Sequence, residues 1–146
     1  MFYTGKDAAV FLNQQEFIDT AIIPLVPISF GTKEIPQAAS QAEYLLTLVN
    51  TLENQFKGRV VAFPSFSYVG TQNKEELLTF WKNESVDSPF KHILFLTTDA
   101  EWLTVDKSVL WTASIPLDSM DSKMRSKVID DQIRQLIPRI AERWNQ

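Results

Sequence analysis

The spacing of apolar residues along the chain predicts alternating helices and strands. Between residues 36 and 56 an apolar side chain recurs every three or four positions, which predicts an amphipathic helix with one buried stripe. Gly58 follows the stripe, where a left-handed residue commonly closes a helix. The residues of the stripe are Ala38, Ala42, Leu45, Val49, Leu52 and Phe56.

Four shorter apolar runs predict strands, over residues 21–28, 59–63, 91–97 and 107–114. The first and third are continuously apolar, as is typical of strands covered on both faces. Pro24 and Pro27 lie in the first run and lack the N–H that a ladder uses, so a short or locally irregular strand is expected there. The fourth run alternates more, which favours an edge position.

Three further helices are predicted, over residues 6–12, 73–83 and from about residue 119 to the last turn of the chain. Asn73 is the expected N-cap of the second of these helices, and Asp118 or Ser119 that of the third. Pro138 removes one backbone hydrogen bond inside the third helix, which predicts a kink or two consecutive helices.

Strands that alternate with helices are typical of a parallel sheet. The expected fold is α/β and Rossmann-like: one domain over residues 1–146, built as a three-layer α/β/α sandwich around a small, mostly parallel sheet of about four strands. The strand order 2-1-3-4 is the commoner choice for so small a sheet, and the sequence leaves it open. The carboxyl ends of all strands then share one edge, where ligands usually bind.

Composition narrows the class of partner. The net charge is −4 and basic residues are scattered among acidic ones, so neither nucleic acid nor a membrane is an expected partner. Cysteine is absent, which excludes disulfides and thiolate chemistry and is compatible with a reducing compartment. No basic leader and no apolar run of membrane-spanning length is present, so a cytoplasmic location is predicted.

Polar residues that follow the strands form the candidate site. Hydroxyls and short acids at such positions often only satisfy local turns and caps, which is the simpler interpretation. The alternative is a shallow polar pocket with aromatic walls. Trp102 follows two acidic residues of this region and would suit a protein interface if exposed, whereas packing in the core is the default for a tryptophan. The candidate ligand-binding residues are Ser29, Ser65, Tyr68, Thr98, Asp99 and Glu101.

Several chemistries are disfavoured by what these residues lack. The only histidine, His92, begins the third strand and is separated from Thr98 by about 20 Å of extended chain, too far to activate a serine at the opposite end. Neither a Gly-x-Ser-x-Gly elbow nor a glycine-rich phosphate loop is present. No catalytic residue, metal ligand or cofactor is therefore predicted.

Four segments resemble the YpiF-like family of uncharacterised proteins from Gram-positive bacteria. They are Ile-Pro-Leu-Val-Pro-Ile-Ser-Phe at 23–30, Ala-Ala-Ser-Gln-Ala-Glu at 38–43, Phe-Lys-Gly-Arg-Val-Val at 56–61 and Pro-Ser-Phe-Ser-Tyr at 64–68. The resemblance covers most of the chain. It implies a bacterial cytosolic protein and supplies no catalytic residues.

The order of elements is also similar to the opening of creatininase-type amidohydrolases, with Pro-x-x-x-Tyr-x-Gly at 64–70 after the second strand. Where that family carries a Glu-His-Gly turn, this chain has Phe30, Gly31 and Thr32, so the resemblance implies a shared scaffold without the metal centre.

Two functional hypotheses follow. The first is a non-catalytic binding module that takes a protein partner or a small polar ligand at the carboxyl edge of the sheet. The alternative is a degenerate or carboxylate-dependent hydrolase on a creatininase-like scaffold, with Asp99 and Glu101 as its acid/base or metal-binding pair. Convergence of these two carboxylates in one pocket with Ser65 or Tyr68 would favour the hydrolase, whereas capping of the next turn by Asp99 would disfavour it. The oligomeric state is left open.

Overall fold

The computed structural model describes residues 1–146 and contains five helices and five strands. Helices cover both faces of a parallel sheet, so the predicted three-layer α/β fold is confirmed. In chain order the elements are α1 (Gly5–Asn13), β1 (Thr20–Ile28), α2 (Ile35–Gln55), β2 (Val60–Ala62), β3 (Phe66–Val69), α3 (Lys74–Glu84), β4 (His92–Thr97), α4 (Trp102–Val105), β5 (Leu110–Trp111) and α5 (Ser122–Trp144).

The sheet has the order β2-β1-β4-β5, and β3 continues beyond β2 along the same side of β1. If β2 and β3 are counted as one interrupted strand, this is the 2-1-3-4 order favoured from the sequence, with β5 at the edge. The chain leaves β1 toward one side and returns on the other side as β4. The boundary between β1 and β4 is therefore the topological switch point, outside whose carboxyl end such sheets bind ligands.

A one-residue bulge interrupts the strand beside β1. Ala62 lies opposite Ile22. Four residues later Phe66 lies opposite Leu25, which is only three residues further along β1. The extra residue reverses the alternation of side chains, so Tyr68 faces the opposite side of the sheet from Ala62.

β1 is nine residues long and lies between two neighbours, so the alternative of a short strand is wrong. The alternative of local irregularity agrees with the change of register at the bulge beside β1. Alternate residues of a parallel strand direct their backbone groups to the same neighbour. The Ile22 carbonyl accepts the Phe63 N–H of the neighbouring strand at 2.8 Å. The backbone groups of Pro24 are therefore directed to that same neighbour, at the bulge. The N–H that proline lacks thus removes no hydrogen bond from the ladder. Pro27 lies beyond the last residue that β4 pairs with β1.

Two apolar clusters hold the layers together. The larger has 17 buried residues and joins one face of the sheet to α2 and α5. The smaller has six and joins the other face to α3 and α4. α1 contributes no buried residue and contacts this second side mainly through the stacking of Phe11 on Phe90. Most of the burial therefore lies on the α2 and α5 face.

The last helix differs from its prediction in two respects. Its N-cap is Asp121 rather than Asp118 or Ser119, because the carboxylate of Asp118 instead accepts the hydroxyl of Ser40 on α2. The helix also continues across Pro138, so the alternative of two consecutive helices is wrong, while that of a kink stays a prediction. Pro138 lies on its exposed side, while buried residues on both sides of the proline anchor the helix in the larger cluster.

Other local predictions agree with the structure. Asn73 caps α3 through its side-chain oxygen, which accepts the Glu76 N–H at 3.0 Å. Gly58 has φ +87°, the left-handed conformation expected after α2. Trp102 is fully buried, so the alternative of an exposed interface residue is wrong. None of the helices combines the length and apolar character needed to cross a membrane.

Candidate functional site

A shallow depression of about 350 Å³ lies at the carboxyl ends of β1, β3 and β4. It is centred on the switch point, where α/β sheets commonly bind ligands. Most of its lining is polar, and α2 and α3 contribute one side chain each. The lining residues are Pro27, Gln41, Tyr68, Gly70, Lys74, Thr98, Asp99, Ala100 and Glu101.

Four of the six candidate residues line this depression, namely Tyr68, Thr98, Asp99 and Glu101. Ser29 does not line it, and its hydroxyl oxygen accepts the Gly31 N–H at 3.3 Å in a local turn. Ser65 lies in the bulge and lines a different, aromatic pocket. The site therefore has no serine.

Asp99 is the most constrained carboxylate of the depression. Its Oδ2 accepts the hydroxyl of Tyr68 at 2.6 Å, and its Oδ1 accepts the Glu101 N–H at 3.1 Å. Its own N–H is donated to Oγ1 of Thr97, whose hydroxyl in turn binds the Leu25 carbonyl of β1. Asp99 thus satisfies the turn before α4 and also faces the depression.

Tyr68 connects the depression to the smaller core. Its hydroxyl accepts Nε1–H of the buried Trp102 at 2.7 Å while it donates to Asp99. Burial raises the pKa of Tyr68, and the hydrogen bond to the Asp99 carboxylate raises it further. The phenol is therefore neutral over the physiological range and acts as a fixed hydrogen-bonding group.

Lys74 is the charged residue that sequence reasoning missed. Its Nζ lies 3.0 Å from Glu101 Oε2 and 3.9 Å from Asp99 Oδ2, and 5.4 Å from the centre of the Tyr68 ring. Its side chain is only 9% exposed, whereas that of Glu101 is 77% exposed. The sequence did contain a signal for Lys74. A cation in the first turn of a helix is repelled by the positive end of the helix dipole, so a negative charge from another segment is needed beside it.

Gln41 was also missed, and the sequence carries no specific signal for it. It lies on α2, and its Oε1 accepts the Thr98 hydroxyl at 3.5 Å. The carbonyl of Thr98 accepts a hydrogen bond from Nε1–H of Trp111 at 3.1 Å. Thr98 therefore presents its hydroxyl to the depression from a fixed backbone.

His92 pairs in register with Thr20 at the amino ends of β4 and β1. The prediction that it lies at the opposite end of the sheet from the candidate site is confirmed. No group of three His, Asp or Glu side chains is arranged to hold a metal ion.

The fold and the depression define a small parallel α/β domain with a polar site at its switch point. The chain belongs to the family described as "Protein of unknown function (DUF2487)", which matches residues 9–144. It is similar to "Uncharacterized protein YpiF" of Bacillus subtilis (strain 168), with 29% identity over 150 residues that cover 95% of each chain. The YpiF-like resemblance is thus confirmed. No solved structure matches the chain, so the likeness to creatininase-type enzymes gains no support.

Proposed function

We propose that this protein is a non-catalytic binding module that takes a small polar ligand in the depression at the carboxyl edge of its sheet. One observation carries the proposal: Tyr68, Thr98, Asp99 and Glu101 converge there with the largely shielded ammonium group of Lys74. A concave site with a few fixed polar groups at a switch point is the usual setting for ligand binding in this class of fold. The cytoplasmic location predicted from the sequence belongs to the same proposal.

The charges of the lining restrict the ligand. One ammonium and two carboxylates leave the depression with a net charge of about −1, which disfavours anions such as phosphates. Thr98 and Gln41 can exchange hydrogen bonds with a neutral group. Because Glu101 is exposed at the rim, its carboxylate can turn from Lys74 to a donor of the ligand. A neutral or zwitterionic molecule with several hydroxyl or amino groups fits best.

The hydrolase alternative is supported by the position of Asp99 and Glu101 in one depression. It is weakened by the arrangement around them. Asp99 already accepts two hydrogen bonds, and no serine or histidine lies within reach to act as nucleophile or base. Tyr68 is held in its neutral form. Binding therefore accounts for the geometry better than hydrolysis does.

A protein partner is the other candidate occupant of this edge. Phe30 follows β1 and is 82% exposed, the largest exposed fraction among the large apolar side chains, so its ring is available to a partner surface. A partner that covers Phe30 would lose affinity on Phe30→Ala. A small ligand confined to the depression would be insensitive to that change, because Phe30 does not line it.

A thermal-shift screen with polar metabolites and divalent metal ions tests the proposal. A ligand at 100 times its Kd should stabilise the protein by about 2.7 kcal/mol, which raises the melting temperature by several degrees. Glu101→Gln and Thr98→Val should reduce the shift. Glu75→Gln, on the first turn of α3 but outside the depression, should leave it unchanged.

Two results would overturn the proposal. One is a stabilising ligand whose shift survives both Glu101→Gln and Thr98→Val. The other is conversion of that ligand to a product, followed by mass spectrometry, which would favour the hydrolase.

A further inference from the structure

A second pocket, of about 400 Å³, lies beside the bulge and shares no lining residue with the polar depression. Its floor is the sheet itself, where Ala21 and Ile23 of β1 meet Ile93 of β4. Its walls are aromatic, formed by Phe63, Phe66, Trp81 and Phe90.

The aromatic walls are fixed by their own contacts. Trp81 packs edge-to-face against Phe66, with 4.2 Å between ring centres, and stacks on the buried Phe95. On the other side Phe63 meets Phe90 edge-to-face at 5.4 Å. Because these rings are held by neighbours rather than by a ligand, the space between the two walls is preorganised for a further apolar group.

One hydroxyl in this pocket has no partner in the chain. Oγ of Ser88 is shielded from solvent and makes no hydrogen bond. Nearby Ser85 differs, since its hydroxyl donates to the Lys82 carbonyl at 3.0 Å. A buried polar atom without a partner in a native fold needs an explanation, and a polar group on a bound molecule supplies one.

The charge of the pocket indicates which polar group that is. Glu84 is the one ionisable residue in the lining, and it forms no ion pair. No Lys, Arg or His lines the pocket. Beside an apolar wall this carboxylate attracts a cation and repels an anion.

The larger cavity next to this pocket does not offer the same features. It measures about 470 Å³ and lies under α1. Its polar groups are already paired, because Thr4 Oγ1 accepts the Asp7 N–H and the Asp7 carboxylate accepts the Phe2 N–H.

We propose that the pocket beside the bulge binds a small aromatic amine. The ring lies between the Phe63 and Phe66 walls and the ammonium group faces Glu84. The Ser88 side chain, whose Oγ is shielded in the unbound protein, rotates so that its hydroxyl meets an N–H or hydroxyl of the ligand. A volume of about 400 Å³ suits a molecule of this size. The bulge thus separates two sites, one aromatic and one polar.

Two probes of equal size and opposite charge, phenethylamine and phenylacetate, test the proposal by titration into the ¹⁵N-labelled protein. Phenethylamine should bind at least about tenfold more tightly than phenylacetate, because the unpaired Glu84 carboxylate attracts an ammonium group and repels a carboxylate. The indole N–H signal of Trp81 should shift, and that of Trp102, which is buried and bonded to Tyr68, should not.

Matched variants locate the charge and the hydroxyl. Glu84→Gln should bring the two affinities to within about twofold of each other, and Asp87→Asn, a nearby exposed change outside the pocket, should not. Ser88→Ala should weaken phenethylamine about threefold or more without lowering the melting temperature. Ser85→Ala should leave the affinity unchanged.

The proposal is overturned if the two probes bind equally, if the shifts centre on the polar depression, or if Ser88→Ala binds as the wild type does. Absence of any shift with millimolar phenethylamine also overturns it.

Discussion

At the scale of single residues, Tyr68 is the side chain on which most of the candidate site depends. It is buried on β3, and its hydroxyl joins Trp102 of α4 to Asp99 of the preceding turn. Tyr44 provides a natural comparison on the other face of the sheet. It is equally buried, but its hydroxyl meets only the neutral Thr112, at 3.1 Å.

Tyr68→Phe should lower the free energy of unfolding by about 1–3 kcal/mol, because it removes a donor from a carboxylate and leaves the Trp102 N–H unpaired. Tyr44→Phe breaks one neutral bond and should cost about 0.5–1.5 kcal/mol. Urea unfolding followed by tryptophan fluorescence measures both. Equal losses in the two variants would contradict the role given to Asp99.

At the scale of elements, the bulge between β2 and β3 decides which face Tyr68 occupies. Deletion of Ser65 removes the extra residue, so Phe66 becomes the third residue after Ala62 and stays opposite Leu25, the third residue after Ile22. Phe66 and Tyr68 should therefore keep their partners in the smaller cluster, and the expected cost is that of an ordinary single change, about 1 kcal/mol. Ser65→Ala keeps the residue count and should stay within about 0.5 kcal/mol of the wild type. Urea unfolding compares the two, and a loss above about 4 kcal/mol for the deletion, the range of severe core disruption, would show that the strand needs its extra residue.

The contact between α3 and the end of α4 is an ion pair of Lys82 with Asp106. Partial burial alone would raise the pKa of Asp106, but hydrogen bonds from Lys82 and Ser108 lower it to about 2, against an ordinary value of 3.8. A carboxylate with a lowered folded-state pKa stabilises the fold above its unfolded pKa. That stabilisation is lost as the pH falls from about 4 toward 2.

Asp106→Asn should therefore cost about 0.5–1 kcal/mol near neutral pH, a small value because Lys82 is 53% exposed and its charge is screened by solvent. The difference from the wild type should disappear below about pH 2. Chemical denaturation across the pH range measures it. Asp130→Asn, an exposed change on α5, is the control, and a difference for Asp106→Asn that persists at low pH would argue against the ion pair.

At the scale of the whole molecule, burial is distributed unequally between the two faces. The α2 and α5 side carries 17 buried residues and the α3 and α4 side six, while α1 carries none. Regions with few buried apolar contacts open locally at low free energy. The backbone amides of α1 should therefore exchange with solvent long before those of α2. Native-state hydrogen exchange by NMR tests this order, and equal protection of α1 and α2 would show that α1 is part of the cooperative core.

The sequence predicted what depends on local chemistry. Asn73 and Gly58 mark helix ends through their own conformational preferences. The alternation of helices and strands was enough to predict the fold and to place four of the candidate residues in the depression. The misses depend on pairing between distant segments. Ser65 was assigned to the wrong pocket because a bulge is a difference in residue count between two strands, which neither strand shows alone. The cap of α5 was misplaced because Asp118 binds Ser40, 78 residues away.

The same bulge also affects how copies of this protein meet in solution. The outer side of β2 is already covered by the first residues of the chain, since the Ala62 N–H donates to the Met1 carbonyl and the Ala62 carbonyl accepts the Tyr3 N–H. β3 has no strand on its outer side, where unpaired backbone groups invite another chain to add one. β3 is only four residues long, and the change of register at the bulge keeps a straight strand from continuing from β3 along β2. The bulge thus also shortens the edge that is open to aggregation.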